Sequence, residues 1–423
     1  MTVAPTDQGQ LASALTQALR ERLGLVAIDN LTRLSGGASR ETWAFDAVAA
    51  DGSRTELVLR RDPPSRPSEP GAMGREARAI ASAQEAGLTV PEVLLSSNEA
   101  GLLGSAGLVM RRIPGETIAR RILRDDRYAP AREVLVGQLA SFAAGLHALE
   151  PPADLPAPDP LADLVAKLGE FDYDGGVFEL AIEALSADRP PPRDPVTVHG
   201  DLRLGNLIVG EHGLNAVIDW ELVHAGDPAE DLGWLCVKAW RFGAAGPAAG
   251  LGSREELLAG YRKAGGAEIS GAELRWWEIL GTLRWGVICL NQAWAHLSGL
   301  HRSVELAAIG RRVAEQEWDL LTLLRPDEAA RAAARRPQPS ADPKPAPAPQ
   351  GRPTASELLD AVRDFLTDQV MPATGGQLAF HARVAANVLS IVAREFDLDP
   401  PPPDASLADQ VAARLAVANP RYF

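Results

Sequence analysis

The sequence predicts an α+β fold: a small β-rich portion first, a mostly helical portion after it, and a small helical bundle closing the chain. Three observations predict it. Runs with β-strand character cluster within residues 31–113. Apolar repeats of helical period dominate from residue 114 onward. Seven prolines packed into residues 337–353 then set the last segment apart.

Residues 9–23 repeat Leu11, Leu15, Ala18, Leu19 and Leu23 at helical spacing. The run "LTRLSGGASRETWAFDAV" gives two short β-like stretches around a Gly-Gly pair, and the turn "AADGSR" leads into the strand "TELVLRR", a meander over residues 31–61. After the proline-rich loop "DPPSRPSEPG" a helix is predicted from Met73 to Ala86, and "VPEVLLSS" and "GLVMRRI" add two strands. Beyond "PGE" at 114–116, helices are predicted over 131–149, 161–169, 177–187, 228–242, 254–264, 271–297 and 303–324, interrupted by one β-hairpin. The stretch "RRPQPSADPKPAPAPQGRP" reads as a semi-extended linker. Thr354 then caps a helix carrying Leu358, Leu359, Val362, Phe365 and Leu366, and "QLAFHARVAANVLSIVAREF" and "SLADQVAARLAV" give two more. The domains follow as 1–113, 114–328, a Pro/Ala-rich linker 329–352 and a helical domain 353–423, tethered and not fused to the main core. A protein partner, or self-association, is expected of that last domain.

A chain of 423 residues, 46% apolar and 23% charged, has the make-up of an ordinary soluble globular protein. The formal charge of −14 argues against a general nucleic-acid binder, which needs a basic face for phosphate. Cys236 and Cys289 sit inside apolar stretches and read as small buried hydrophobes, and no Cys or His spacing suits a metal site. "MTVAPTDQGQ" lacks the basic and apolar regions of a secretory signal. The most apolar long stretch, "WWEILGTLRWGVICLNQAWAHL", is interrupted by Glu278, Arg284, Asn291 and His296, so no membrane span is expected and the cytoplasm is the default.

The chemistry concentrates in "VHGDLRLGNLIVGEHGLNAVIDWE", residues 198–221. "NLIV" and "LNAVID" alternate as strands around the turn "GEHG", so the outer ends of the hairpin return to one place. Asn206 enters the first strand, Asp219 leaves the second, and Asp201 lies on the loop just before. Hard oxygen ligands of this kind suit Mg²⁺. An amide with one carboxylate leaves coordination sites for phosphate and water, and Asp201 is then free to take a proton from an attacking hydroxyl.

The run from His199 through Asp201 to Asn206, followed by Ile218, Asp219 and Trp220, resembles the catalytic and metal-binding loops of the aminoglycoside phosphotransferase family. The resemblance implies a bilobal protein-kinase-like fold, with a β-rich nucleotide-binding lobe over 1–113 and a helical catalytic and substrate lobe over 114–328. It also implies ATP and Mg²⁺ as cofactors and a small-molecule hydroxyl as acceptor. By this similarity Asp201 is the catalytic base, Asn206 and Asp219 are metal ligands, and His199 braces the loop. Arg203 is a candidate to neutralise the transferring phosphoryl group. Asp231, in "GDPAEDLGWL", is expected to cap a helix or brace the catalytic loop.

Upstream, "LSGGASRETW" resembles the phosphate-covering hairpin, through Gly36, Gly37 and Ser39. The strand lysine of the kinase fold is missing, because residues 1–113 hold no lysine. Arg60 or Arg61 stands in its place; strand alternation lets only one face the cleft, and Arg60, paired with Glu76, is favoured. "LVMRRIPGE" resembles the linker between lobes, where backbone groups of Met110 and Arg111 would hold adenine.

The region after residue 232 is rich in tryptophan (Trp234, Trp240, Trp276, Trp277, Trp285, Trp294), read mostly as core, and has no concentrated carboxylate cluster for a polycationic drug. The wider run resembles the branch of the family related to kinase domains of acyl-CoA dehydrogenase fusion proteins, which implies a hydroxyacyl-CoA or similar acceptor. An antibiotic kinase of the same fold, and a non-catalytic nucleotide-binding scaffold, are the alternatives.

Overall fold

A computed structural model of the chain describes residues 8–34, 40–63, 69–98, 103, 105–171, 173, 175–337 and 355–423. The chain divides into two compact units, Met1–Pro158 with Pro191–Trp277, and Asp159–Pro190 with Glu278–Phe423.

The first unit begins with α1 (Gln8–Leu23) and a five-stranded antiparallel sheet of order β1-β2-β3-β5-β4. Its strands are β1 (Leu25–Arg33), β2 (Glu41–Ala49), β3 (Arg54–Arg61), β4 (Val93–Ser97) and β5 (Gly107–Arg111), and α2 (Ala72–Glu85) lies between β3 and β4 in the chain. Alternation divides the sheet into two faces. Trp43, Phe45 and Ala47 of β2 and Leu57 and Leu59 of β3 bury in one cluster with Leu11, Leu15 and Leu19 of α1. Arg61 continues that face and is spent there, donating to Glu41 Oε2 (2.9 Å) and to the Leu103 carbonyl (3.0 Å). Arg60 therefore belongs to the opposite face.

After α3 (Ala119–Arg124) and α4 (Ala129–His147) the chain enters the second unit with α5 (Pro160–Leu168) and α6 (Val177–Ala187). It returns as β6 (Val196–Val198), which pairs antiparallel with β9 (His224–Gly226). Between them lies the predicted hairpin, β7 (Leu207–Gly210) and β8 (Gly213–Val217). Asn206 ends a 3₁₀ turn, Leu204–Asn206, just before β7 and so outside the strand itself. Asp219 lies beyond β8 in left-handed backbone, φ 70°. The helix predicted over 228–242 stops earlier, as α7 (Ala229–Cys236) followed by a 3₁₀ turn Lys238–Arg241. Next come α8 (Arg254–Lys263) and α9 (Gly271–Leu297), which carries the chain into the second unit.

There the helix predicted over 303–324 is two, α10 (Val304–Gly310) and α11 (Val313–Leu324). A further helix, α12 (Pro326–Arg335), extends into the segment assigned to the linker, with Ala329 and Ala332 buried. Thr354 and most of the proline run lie outside the described residues. The last segment forms α13 (Ala355–Phe365), α14 (Met371–Ala373), α15 (Gly376–Asp397) and α16 (Leu407–Ala418).

The tail meets the preceding helices within the second unit. Helix α16 packs on α11 and α12 within one compact unit. The physical reason is polar. Helix α11 buries Glu315, Glu317 and Asp319. The tail supplies their partners: Arg414 to Glu317 (2.8 Å), Asn419 to Glu315 (2.9 Å) and Tyr422 to Asp319 (2.7 Å). No helix among the described residues is long and apolar enough to cross a membrane.

Candidate active site

The loop between β6 and β7 is held from beneath. Asp231, in the first turn of α7, accepts from the backbone N–H of His199 (2.8 Å) and of Gly200 (3.0 Å). It bridges to His147 Nε2 (3.2 Å), whose Nδ1 meets the Tyr261 hydroxyl (2.9 Å). Of the two roles expected for Asp231, the geometry is that of the loop brace. Its burial alone would raise the carboxyl, but the His147 hydrogen bond and nearby charge, with the loop amides, hold it below the usual carboxylate range. Gly200 has φ 77°, and a Cβ there would lie 2.5 Å from the Leu222 carbonyl oxygen, so a side chain is excluded on two counts.

His199 is fully buried and its ring stacks at a tilt on Trp220, centroids 4.8 Å apart. Its Nδ1 accepts from the Asp201 N–H (3.2 Å), which leaves Nε2 to donate to the Ile218 carbonyl (3.2 Å). Both nitrogens are used in tying two loops together. A further backbone bond, Ile218 N–H to the Asn206 carbonyl (2.9 Å), fixes the exit of β8 beside the entry of β7.

Three N–H donors surround the Asp201 carboxylate. Arg203 Nε (3.0 Å) and Trp234 Nε1 (2.7 Å) donate to Oδ1, and Asn206 Nδ2 donates to Oδ2 (2.6 Å) and to the Asp201 carbonyl (2.9 Å). Because the amide nitrogen of Asn206 is engaged this way, its Oδ1 points away from Asp201. The Arg203 guanidinium lies 4.8 Å from the ring centre of Trp240.

Asp219 meets the strand arginine. Arg60 Nη2 reaches Asp219 Oδ1 at 2.6 Å and Arg60 Nη1 reaches Glu76 Oε1 at 2.8 Å. Arg60 thus pairs with the helix glutamate, while Arg61 lies on the other face. Glu76 is 1% exposed and also receives Arg40, whose Nε lies 3.2 Å from Asp62 and 3.8 Å from Glu221. Glu221 is 3.6 Å from Arg60 as well. Burial works to lower the Arg60 pKa, but Asp219, Glu76 and Glu221 raise it further. Burial pushes the Asp219 carboxyl up, and the Arg60 charge and hydrogen bond bring it below the usual range.

Two guanidinium groups (Arg40, Arg60) here face four carboxylates (Asp62, Glu76, Asp219, Glu221), a formal excess of two negative charges. That excess suits a divalent cation. Among the described residues no group of three His, Cys, Asp or Glu side chains could hold a metal alone. A donor set of one amide and one carboxylate oxygen, completed by phosphate and water, suits Mg²⁺ in particular.

Some sequence-predicted residues fall elsewhere. Gly36, Gly37 and Ser39 lie outside the described residues. Met110 and Arg111, expected to offer backbone groups to adenine, are inside β5. Met110 is paired with Val58 and Val93, and the Arg111 N–H donates to the Glu92 carbonyl (2.9 Å), so sheet pairing occupies these positions. The ladder ends with Arg112, whose N–H donates to the Glu56 carbonyl (3.0 Å). Arg40 and the His147–Tyr261 pair went unnoticed in the sequence, and Trp234 was read there only as core. An arginine entering a strand beside a glycine pair was the one signal available for Arg40.

This fold is protein-kinase-like. The chain belongs to the phosphotransferase enzyme family, whose pattern matches residues 30–277. Residues 372–407 match a domain of unknown function, DUF6285. Acyl-CoA dehydrogenase family member 10 of Mus musculus is 28% identical over 207 residues, 43% of this chain but 18% of the mouse protein. Viomycin phosphotransferase of Streptomyces vinaceus is 28% identical over 219 residues, 48% of this chain and 70% of that protein. A crystal structure from Ralstonia eutropha JMP134, assigned as an aminoglycoside phosphotransferase, shares the fold with TM-score 0.56 at 20% identity, covering 73% of this chain and 97% of that one.

Proposed function

We propose that the chain transfers the γ-phosphate of ATP, with Mg²⁺, to a hydroxyl of a small molecule, and that the acceptor is a hydroxyacyl-CoA or a related acyl metabolite. One observation carries the reading. Asp201, Asn206 and Asp219 share one hydrogen-bonded loop cluster, and the same cluster includes a strand arginine paired with a helix glutamate.

Asp201 is the base. A carboxylate offers roughly four lone-pair sites. Three are taken by Arg203, Trp234 and Asn206, and the remaining one accepts the proton of the acceptor hydroxyl as its oxygen attacks the γ-phosphorus. The new O–P bond forms, the bond from the γ-phosphorus to the bridging oxygen breaks, and ADP leaves. Asn206 Oδ1 and Asp219 would hold the Mg²⁺, which neutralises charge on the β- and γ-phosphates. Arg60 meets the phosphates in place of the usual lysine. As a fork it engages Glu76 and Asp219 together, which a lysine could not match in geometry. His199 braces the loop.

For the acceptor, the support is the composition of the wall beside the base. Arg203 lies over Trp240, and Trp234 stands beside that ring with centroids 5.2 Å apart. An aromatic wall suits an acceptor with an apolar acyl part. The similarity to the mouse acyl-CoA dehydrogenase family member points the same way. A second reading, an antibiotic kinase, is favoured by the match to 70% of viomycin phosphotransferase.

The test is γ-labelled ATP offered with a panel of hydroxyacyl-CoA thioesters, aminoglycosides and macrolides. Label on the thioesters alone is expected. Label on a drug overturns the acceptor assignment. Mg–ATP binding with no transfer to any hydroxyl overturns the enzyme reading in favour of a scaffold.

A further inference from the structure

Two tryptophans of the α7 region meet around the base. Trp234 is 3% exposed and its indole N–H donates to Asp201 Oδ1 at 2.7 Å. Its ring centroid is 5.2 Å from that of Trp240, itself buried. Trp240 in turn carries the Arg203 guanidinium, which donates to the same Oδ1 at 3.0 Å. Both donors to this one oxygen thus trace back to a single aromatic pair. The opposite oxygen is held by Asn206 (2.6 Å).

A buried indole N–H needs an acceptor, and a carboxylate is a strong one. The indole is also rigid, with two side-chain torsions, so the direction of its N–H is set by core packing and not by a mobile stem. An arginine alone would leave the carboxylate plane free to follow a flexible side chain. With Trp234 in place, the plane is fixed, and so is the direction of the lone pair left for the acceptor hydroxyl.

We infer that Trp234 is a positioning residue for phosphoryl transfer: its indole N–H orients the Asp201 carboxylate, and Trp240 secures Trp234 and Arg203 together. The inference rests on the reading of Asp201 as the base. Its reach is specific, because the one N–H of the indole is directed at Asp201, while Arg60 is engaged by Glu76 and Asp219. ATP affinity should therefore be spared.

Trp234→Phe keeps the ring and deletes the donor. With full-length protein and Mg–ATP, ADP release with water as acceptor is expected to fall about 10–100-fold in kcat, the range for losing a hydrogen bond to a charged group. The KM for ATP should stay within about twofold, since only the base is touched. In an Asp201→Asn background the same change should cost less than about threefold, because the donor then has no carboxylate to orient. An equal loss in both backgrounds, or none in either, overturns the inference.

A second measurement needs no turnover. In ¹⁵N-tryptophan-labelled protein, the indole resonance that vanishes in Trp234→Phe should be the one that moves most in Asp201→Asn. If that resonance stays put, the inference fails. The outcomes also separate from the kinase reading. Full activity in Asp201→Asn sinks that reading, whereas an inactive Asp201→Asn beside a fully active Trp234→Phe sinks only the role given to Trp234.

Discussion

Two sets of carboxylates serve opposite ends in this molecule. Around the catalytic loop, the side chains of Asp201 and Asp219 keep 14% and 29% of their surface. Each still has lone pairs to offer a ligand. On α11, Glu317 keeps 2%, and its oxygens are closed by Arg414 and by the Tyr173 hydroxyl at 2.7 Å. Burying a charge costs several kcal/mol unless partners satisfy it. On α11 the chain supplies those partners, so the charge buys nothing but a fixed arrangement of helices. At the loop the carboxylates keep surface and lone pairs, an arrangement that suits binding a cation.

The sharpest way to break that contrast is Asp201→Asn. Turnover should fall by roughly 10²–10⁴-fold, the ordinary contribution of a positioned base. The urea midpoint should stay close to that of the wild type, since the amide keeps one acceptor for Trp234 and Arg203. A variant that unfolds instead would place Asp201 with the structural set. Arg60→Ala should raise the KM for ATP by about 10–100-fold, while Arg60→Lys should recover part of it. A lysine that restores full affinity would show that the fork geometry is irrelevant.

Arg414→Ala probes the other set. It takes the guanidinium from Glu317, which stays buried beside the Tyr173 hydroxyl, and removing one partner of a buried charge costs about 3 kcal/mol. Equilibrium urea unfolding should show that loss, with kcat per folded molecule unchanged. A milder version is Tyr422→Phe, which removes the hydroxyl from Asp319 and should cost about 1 kcal/mol. Neither variant losing stability would mean the tail is held by apolar contacts alone, among them the edge-on pair Trp318–Phe423 at 4.9 Å.

The two sets were not equally legible. Asp201, Asn206 and Asp219 lie within one short hairpin, so local strand alternation and spacing bring them together before any tertiary contact is known. Arg60 followed from alternation too, because Arg61 had to share a face with Leu57 and Leu59. Trp234 looked like any core tryptophan, since nothing local tells a buried indole from one whose N–H has an anionic acceptor. That Met110 and Arg111 lie within the ladder was not legible, because the end of a ladder depends on its neighbours: Glu56 and Glu92 extend pairing past Met110. The α11 partners were out of reach altogether. Arg414, Asn419 and Tyr422 follow their acids by 97, 104 and 103 residues. A helix rich in Glu and Asp reads as a solvated face unless that distant segment is known to cover it.

The remaining contrast is a pH dependence, and it belongs to Asp231. Its folded carboxyl sits below the usual range, so the unfolded chain binds the proton more readily, and stability rises with pH wherever that difference operates. The contribution is complete above the unfolded value of about 4 and is lost as pH falls through the lower folded value. Asp219, lowered with Arg60 as its partner, adds a term of the same sign in the same window. Urea midpoints measured from pH 7 down to pH 3 should therefore be flat and then drop. Asp231→Asn should be less stable at pH 7, with the gap to wild type closing toward pH 3, because protonation removes from the wild type what the amide never had. A gap that stays constant over that range would mean the brace under His199 and Gly200 works by shape and not by charge.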